Sequence, residues 1–219
     1  DAIYFDYTVS VEEALGDAQY LGQFDVLLLY ANHGTIQPHQ WTNLKNFVEN
    51  GGGFVPVHCA SWCFGNEPGF DKLVGGRFKS HQGAVFSARI SDGKHPAMKG
   101  VKAFEAWDET YFHTNHNPKN RTVLMVRDAM KGDPHTKPEP WTWVRTQGEG
   151  RVFYTASGHD ARVWSHAGFH QLLKSGILWA AGDAVHARYQ KFLAGRAPLK
   201  YEKRDNIPNY EKCPEPLPY

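Results

Sequence analysis

The fold of this chain is decided by DVLLLY (residues 25–30) and GGGFVPVH (residues 51–58), together with the segment between them. Asp25–Tyr30 is a largely apolar run, which is typical of a strand buried on both faces of a parallel sheet. Pro38 begins a segment to Asn50 whose apolar residues recur at helical spacing, and three glycines follow it. Phe54–His58 reads as the next strand. This order predicts an α/β fold with a doubly wound, mainly parallel sheet in which the two strands are parallel neighbours.

The rest of the chain has weaker patterns on either side of this unit. We expect strands at Ile3–Thr8, Phe78–Ile90, Ala103–Trp107 and Val123–Val126, a hairpin of Trp141–Arg145 with Arg151–Thr155, and a helix at Phe169–Ala181. From Pro198 the chain is polar and rich in proline, which is typical of a linker or an extended tail. The predicted organisation is one α/β domain over residues 1–183 and a C-terminal helix with a Pro-rich tail over residues 184–219.

Composition argues against several classes of protein. The 219 residues are enough for one sizeable domain with a tail. The net charge of +1, from 24 basic and 23 acidic residues, lacks the basic footprint of a nucleic-acid-binding protein. No apolar run reaches the roughly 18 residues of a membrane span. Three cysteines, an odd number, argue against a disulfide framework, and no glycine-rich phosphate loop follows a strand, so no nucleotide is expected.

Polar and reactive side chains follow three of the predicted strands. Tyr30–His33 follows the first buried strand, His58–Ser61 follows the next, and Thr155–Asp160 follows a third. In an open parallel sheet, ligands bind in the crevice outside the carboxyl ends of the strands. We therefore expect the His58 and His159 rings to share one crevice, less than about 10 Å apart, since two ligands of one zinc lie roughly 4 Å apart.

The motifs at these positions resemble those of the ThuA-like family, which takes its name from trehalose utilisation. They are, in chain order, GGFVPVH at 52–58, LVGG at 73–76, His95-Pro96, WDETY at 107–111, GRVFYTA at 150–156 and GHD at 158–160. The resemblance covers about residue 3 to Asp183. It implies a flavodoxin-like sheet related to the class I glutamine amidotransferase fold and a role near sugar metabolism, whereas fold alone gives no reaction.

Within that family, the chain most resembles the ThuA-like module of large planctomycete-type multidomain proteins that carry a c-type haem module. The resemblance implies further domains of the same polypeptide and an extracytoplasmic or periplasmic location. Such relatives usually begin with one more strand and helix. The chain is therefore expected to lack its first strand and helix and to have an exposed sheet edge there.

One candidate chemistry is that of a thiol nucleophile. His58 stands where an amidotransferase has its nucleophilic cysteine, and Cys59 is the next residue, with His159 as a candidate base. The stretch from Val57 to Ser61 lacks the glycines that ease a sharp turn after a strand. Thiol chemistry at Cys59 therefore ranks last, behind a structural role as a small buried hydrophobe.

The competing constellation is rich in histidine and carboxylate. Imidazole and carboxylate suit zinc, manganese or iron, and the candidate ligands of a divalent metal, Zn or Mn, are His58, His81 and His159. His58 and His159, together with Asp108 and Glu109, are also the candidate catalytic acid/base groups. The alternative is a polar pocket in which the same groups form hydrogen bonds with sugar hydroxyls.

Aromatic and polar side chains near these positions are candidates for contact with a sugar. The predicted substrate-binding residues are His33, Trp62, Trp107, Tyr111, His113 and Asp160. Trp143 and Trp164 are expected to pack in the core instead. The favoured function is a lyase, hydrolase or isomerase acting on a sugar or keto-sugar, with a metal as a candidate cofactor. The alternative is a non-catalytic sugar-binding module of a larger redox protein, and amidotransferase-like chemistry comes third.

Overall fold

The structure is a computed structural model that describes Asp6 and residues 10–194. The predicted strand Ile3–Thr8, apart from Asp6, and the tail from Pro198 lie outside the described residues. The expected exposed sheet edge beside that strand therefore stays a prediction. Within the described residues, no helix is both long enough and apolar enough to cross a membrane.

The described residues form seven α-helices and ten strands. The helices are Val11–Leu15 (α1), Ala18–Leu21 (α2), Pro38–Glu49 (α3), Pro68–Val74 (α4), Ala161–Trp164 (α5), Ala167–Ala180 (α6) and Asp183–Leu193 (α7). The strands are Val26–Leu29 (β1), Gly53–Pro56 (β2), Arg77–Ser80 (β3), Gly83–Ser87 (β4), Arg89–Ile90 (β5), Glu105–Glu109 (β6), Phe112–Thr114 (β7), Arg121–Arg127 (β8), Glu139–Gln147 (β9) and Gly150–Thr155 (β10). Two short 3-10 helices are His58–Trp62 and Pro96–Met98.

The central sheet has six strands in the order β1-β2-β10-β9-β8-β5. β1 pairs with β2 in parallel, with Val26 opposite Gly53, and β2 pairs with β10 in parallel. The hairpin β9–β10 and strands β8 and β5 extend this parallel centre with antiparallel pairs. The predicted α/β fold, the parallel neighbours joined by α3 and the hairpin are confirmed.

Helices cover both faces of the sheet. On one face, the Trp143 indole N–H of β9 donates to the Val74 carbonyl at the end of α4, and Phe54 of β2 packs edge-on against Phe70 of the same helix. On the other face, Phe153 of β10 lies against Gly176 of α6. The prediction that Trp143 packs in the core is confirmed, because it is fully buried.

The predicted single strand Phe78–Ile90 is wrong, because this segment divides into three strands. β3 pairs with β7, β4 pairs with β6 in a separate ribbon, and only β5 joins the central sheet. The first of the two breaks falls at His81 and Gln82, whose polar side chains suit a turn. Gln82 and Thr110 there exchange two hydrogen bonds, which join the turn to the end of β6.

Candidate functional site

A cavity of about 420 Å³ opens beyond the carboxyl ends of the three parallel strands. Tyr30 follows β1, His58 follows β2 and His159 follows β10, as the crevice rule for open α/β sheets requires. The β4–β6 and β3–β7 ribbons close it from the side. Its lining residues are Tyr30, Ala31, Asn32, His58, Cys59, Trp62, Phe78, His81, Glu109, Tyr111 and His159.

Glu109, the last residue of β6, is the point at which the polar side chains meet. Its Oε2 lies 3.1 Å from His58 Nε2, and its Oε1 lies 3.2 Å from His159 Nδ1 and 3.4 Å from His81 Nδ1. The His58 and His159 ring centroids are 5.7 Å apart. The predicted convergence of these two histidines is therefore confirmed.

The charge state of Glu109 follows from its neighbours. Burial raises the pKa of this carboxyl, but hydrogen bonds with His159 and His58 outweigh it and lower the pKa to about 2. The hydrogen bond with Glu109 in turn raises the pKa of His159, against the opposing effect of burial. The floor of the cavity thus holds a carboxylate among three imidazole rings.

His58 is held in an unusual backbone conformation. Its φ is 50°, in the left-handed region. The chain therefore makes a sharp turn after β2 although no glycine is present there. A non-glycine residue there stores roughly 1–3 kcal/mol of strain, which the surrounding structure must hold. The ring stacks on Tyr111 at 4.2 Å between centroids.

The hydrogen bonds of His58 also fix which ring nitrogen carries the proton. Nδ1 lies 2.7 Å from the Ala156 carbonyl, which can only accept, so Nδ1–H donates to it. In the neutral ring, Nε2 then has a lone pair, and it faces the Glu109 Oε2 acceptor at 3.1 Å. Two facing acceptors require a cation between them, either a second proton on the ring or a metal ion. A backbone carbonyl that accepts from the other ring nitrogen is the usual partner of a metal-binding histidine.

The same residues have the composition and spacing of a metal site. Ligand atoms of His58, Glu109 and His159 all lie within 4.8 Å of one another, and among the described residues this is the only such group. Two imidazoles with one carboxylate form the ligand set of several catalytic zinc sites and of iron sites with open positions. His81, predicted as a ligand, is outside this group, although its Nδ1 lies 3.4 Å from Glu109 Oε1 and 3.3 Å from the Gln82 carbonyl.

Asp108 does not share the cavity with Glu109, which corrects its prediction as a catalytic acid or base. Successive residues of a strand point to opposite faces, so the Asp108 side chain turns inward. Its Oδ1 accepts the backbone N–H groups of Glu109 at 2.9 Å and His159 at 3.1 Å, and its Oδ2 accepts that of Gly158 at 3.0 Å. Burial raises its pKa in spite of these bonds. Asp108 thus fastens β6 to the turn that carries His159.

His113 is likewise not in the cavity, which corrects its prediction as a substrate-binding residue. Its side chain is fully buried beneath the site. Its Nδ1 lies 2.9 Å from Glu139 Oε1, and its Nε2 lies 3.0 Å from the Tyr154 hydroxyl. Burial lowers the pKa of His113, so the neutral ring donates from Nδ1 and accepts at Nε2.

The other predicted substrate contacts divide into two groups. Trp62 and Tyr111 line the cavity, and Trp62 is 39% exposed. His33, Trp107 and Asp160 do not line it. Trp107 instead packs against His159 and beneath the Arg162 guanidinium, 3.6 Å from the ring centroid, while Asp160 caps α5 and pairs with Arg162.

Cys59 lines the cavity as a thiol. Burial, followed by the neighbouring Cys63, raises its pKa to about 12, so the thiolate needed for nucleophilic attack is disfavoured at neutral pH. This agrees with the low rank given to thiol chemistry. His58, rather than Cys59, occupies the strained turn.

Four lining residues were not predicted as site residues. Tyr30, Ala31 and Asn32 lie in the cluster after β1, from which only His33 was predicted to contact a substrate. The Tyr30 hydroxyl donates to the His159 carbonyl at 3.0 Å, which ties the two strand ends together. Phe78 reaches the cavity through the β3–β7 ribbon, and no sequence pattern indicated that ribbon.

Comparison with solved structures finds similar folds. A ThuA-like protein from Parabacteroides merdae has a TM-score of 0.63 and 22% identity, over 74% of this chain and 71% of that one. One from Bacteroides uniformis has a TM-score of 0.65 and 21% identity, over 79% and 75%. A β-galactosidase from Bacillus circulans has a TM-score of 0.51 and 16% identity, over 84% of this chain and 24% of that chain. At these identities the likeness shows the fold alone.

No curated protein matches the chain. The profile of the family described as "ThuA: Trehalose utilisation" matches residues 1–180. This span includes both histidines and the carboxylate at the floor of the cavity. The chain therefore belongs to the ThuA family.

Proposed function

We propose that this chain is an enzyme that processes a sugar or keto-sugar, as a lyase, hydrolase or isomerase, with a divalent metal held by His58, Glu109 and His159. The observation that carries the proposal is that His58 Nε2 lies 3.1 Å from a Glu109 oxygen at the floor of an open cavity, while His58 Nδ1 is held by the Ala156 carbonyl. A carbohydrate substrate is supported by the family description and by the aromatic lining. A bound metal would supply a Lewis acid next to the substrate oxygens.

The side chains at the site suit different tasks. With a pKa of about 2, Glu109 is a weak base at neutral pH, which favours a role as ligand over the role of general base first considered for it. His81 is a better candidate for proton transfer, because its side chain is 40% exposed at the cavity and its Nδ1 is only 3.4 Å from Glu109. Trp62 and Tyr30, 39% and 43% exposed, offer apolar faces on which a sugar ring can stack.

The first test is the metal content of protein purified without added metal or chelator, followed by titration with Co²⁺ and measurement of its visible absorption. We expect about one metal per chain for the wild type. Glu109→Gln should weaken Co²⁺ binding by at least about 100-fold, because the amide has no charge and one acceptor oxygen fewer. Glu105→Gln is the matched control, since Glu105 is exposed on the same strand. Equal binding by both variants would contradict the metal assignment.

The second test addresses the reaction. Keto-sugars and trehalose are incubated with the protein in D₂O, and proton NMR follows exchange at carbons next to the carbonyl as well as product formation. We expect exchange or conversion by wild type, and its loss in His81→Asn with Co²⁺ binding retained. Absence of both exchange and conversion, with metal bound, would contradict the enzymatic proposal.

The second candidate function is a sugar-binding module without catalysis. The exposure of Trp62 and Tyr30 at the cavity favours it. Saturable quenching of tryptophan fluorescence by an unchanged sugar, abolished by Trp62→Ala and independent of EDTA, would support the binding module over the enzyme.

A further inference from the structure

The conformation of His58 depends on groups behind the cavity. The His58 carbonyl lies 3.1 Å from the Ser61 hydroxyl and 3.2 Å from the Tyr154 hydroxyl, both buried. Because His58 has a φ of 50°, the hydroxyl groups that bind its carbonyl help to fix the orientation of its imidazole ring. Neither Ser61 nor Tyr154 lines the cavity, so neither is placed to touch a substrate.

A directed chain of hydrogen bonds continues away from Tyr154. Its hydroxyl lies 3.0 Å from Ser61 Oγ and 3.0 Å from His113 Nε2. Because the neutral His113 donates from Nδ1 to Glu139, its Nε2 accepts the Tyr154 O–H. The single Ser61 hydroxyl proton then lies between two acceptors, the His58 carbonyl at 3.1 Å and the Tyr154 oxygen at 3.0 Å. The order Glu139, His113, Tyr154, Ser61 therefore leads from a buried carboxylate to the backbone of His58.

The far end of this chain is also anchored. The backbone N–H of His113 donates to Glu139 Oε1 at 2.9 Å, in addition to its ring nitrogen. His135 pairs with the other Glu139 oxygen at 3.3 Å. Both Glu139 oxygens are thus occupied, which leaves the carboxylate little freedom to release His113. Buried hydrogen-bond networks of this kind hold their members in one arrangement.

We propose that Tyr154 is a positioning residue that, together with Ser61, holds the strained turn of His58 so that the His58 ring donates from Nδ1 and presents Nε2 to the site. This proposal rests on the proposed function only in that Nε2 is taken to bind the metal. The tautomer of His58 can be measured whether or not a metal binds. Outer hydrogen-bond partners of a metal ligand affect affinity by roughly 10–100-fold.

The test compares wild type with Tyr154→Phe and Ser61→Ala, and Thr142→Val is the matched control. Thr142 is buried on β9, and its hydroxyl makes its hydrogen bond with Thr155 and not with His58, Ser61 or Tyr154. In protein labelled with ¹⁵N-histidine, the ring nitrogens of His58, assigned with His58→Asn, report its tautomer. We expect both test variants to shift the His58 Nδ1 resonance and to raise the Co²⁺ Kd about 10-fold. Thr142→Val should lose stability but leave the His58 Nδ1 resonance unshifted and the Co²⁺ Kd within twofold of wild type.

Several outcomes decide between the alternatives. If Tyr154→Phe leaves the His58 resonance and the Co²⁺ Kd unchanged, or if Thr142→Val changes both as much, the positioning role is wrong. If Tyr154→Phe fails to fold, Ser61→Ala decides by the same two readouts. If wild type binds no Co²⁺, the metal assignment fails, and the His58 resonance alone then decides whether Tyr154 positions the ring.

Discussion

At the scale of single residues, the site depends on which groups are charged and which are neutral. Glu109 carries its charge toward the cavity among three imidazoles, whereas Glu139 carries its charge in the interior against His113. The hydrogen bond from His113 lowers the pKa of Glu139, although burial opposes it. Burial lowers the pKa of His113 itself. A histidine–glutamate pair therefore lies at the floor of the cavity in one place and in the buried interior beneath it in another.

The His113–Glu139 pair predicts a loss of stability in mild acid. The unfolded chain protonates His113 below about pH 6.5 and its glutamates below about pH 4.5, while the folded protein resists both steps because both pKa values are lowered. The stability that each contributes is therefore lost as pH falls. For His113→Gln, we expect lower stability at pH 7 and a slope between pH 6 and 5 that is shallower by up to about 1.4 kcal/mol per pH unit. Urea unfolding at several pH values measures this, and parallel curves for the two proteins would contradict it.

Asp108 supports the site through the hydrogen bonds that its carboxylate accepts from three backbone N–H groups. Asparagine at this position keeps one acceptor oxygen where three backbone N–H groups need partners. We expect Asp108→Asn to destabilise the fold by about 2–3 kcal/mol and to weaken Co²⁺ binding, because Glu109 and His159 lose their common anchor. Asp128→Asn, at an exposed pair with Arg89, should change stability by less than about 0.5 kcal/mol. Equal effects in both variants would refute this role.

At the scale of elements, the packing of α3 on β10 is set by a close approach. A Cβ atom added at Gly150 would lie 2.0 Å from the Val48 carbonyl oxygen. The helix must therefore move away from β10, the strand that precedes His159, if any side chain is introduced. No other residue type fits here, even though the φ of Gly150 is not positive.

We expect Gly150→Ala to destabilise the protein by about 3 kcal/mol, the upper part of the range for overpacking. Gly34→Ala is the control, because the φ of Gly34 is not positive and an added Cβ would meet only Trp62, at an ordinary contact distance of 3.8 Å. It should change stability by less than about 1 kcal/mol, because it introduces neither a clash nor a strained conformation. Thermal unfolding of both variants isolates the steric effect, and equal losses would show that the contact with Val48 is unimportant.

The elements also show why part of the fold was predictable. The order β1–α3–β2 depends on local periodicity, and the position of His58 and His159 follows from the edge rule for parallel sheets. The ribbon β4–β6 depends on pairing between distant, weakly patterned segments, so it was not predicted. Without its register, the sequence could not distinguish Glu109, which faces the cavity, from Asp108, which faces inward. His113 was selected for its residue type, but β7 carries its side chain into the interior.

At the scale of the whole molecule, the candidate metal site joins three distant parts of the chain. His58 follows β2, Glu109 ends β6, 51 residues later, and His159 follows β10. These segments belong to the central sheet and to a ribbon outside it. In the unfolded chain no such group exists, so an ion that binds all three residues binds the folded state alone and raises its stability by mass action.

We therefore expect Co²⁺ at 100 times its Kd to stabilise the wild type by about 2.7 kcal/mol. For a chain of this length, that corresponds to an increase in Tm of roughly 5–10 °C. EDTA should reverse the increase, Glu109→Gln should show none, and Glu105→Gln should match the wild type. If instead a second proton on His58 bridges the two acceptors, the ring is an imidazolium, and neither Co²⁺ nor EDTA will move the Tm. An increase of equal size in Glu109→Gln would mean that the ion binds elsewhere on the folded chain.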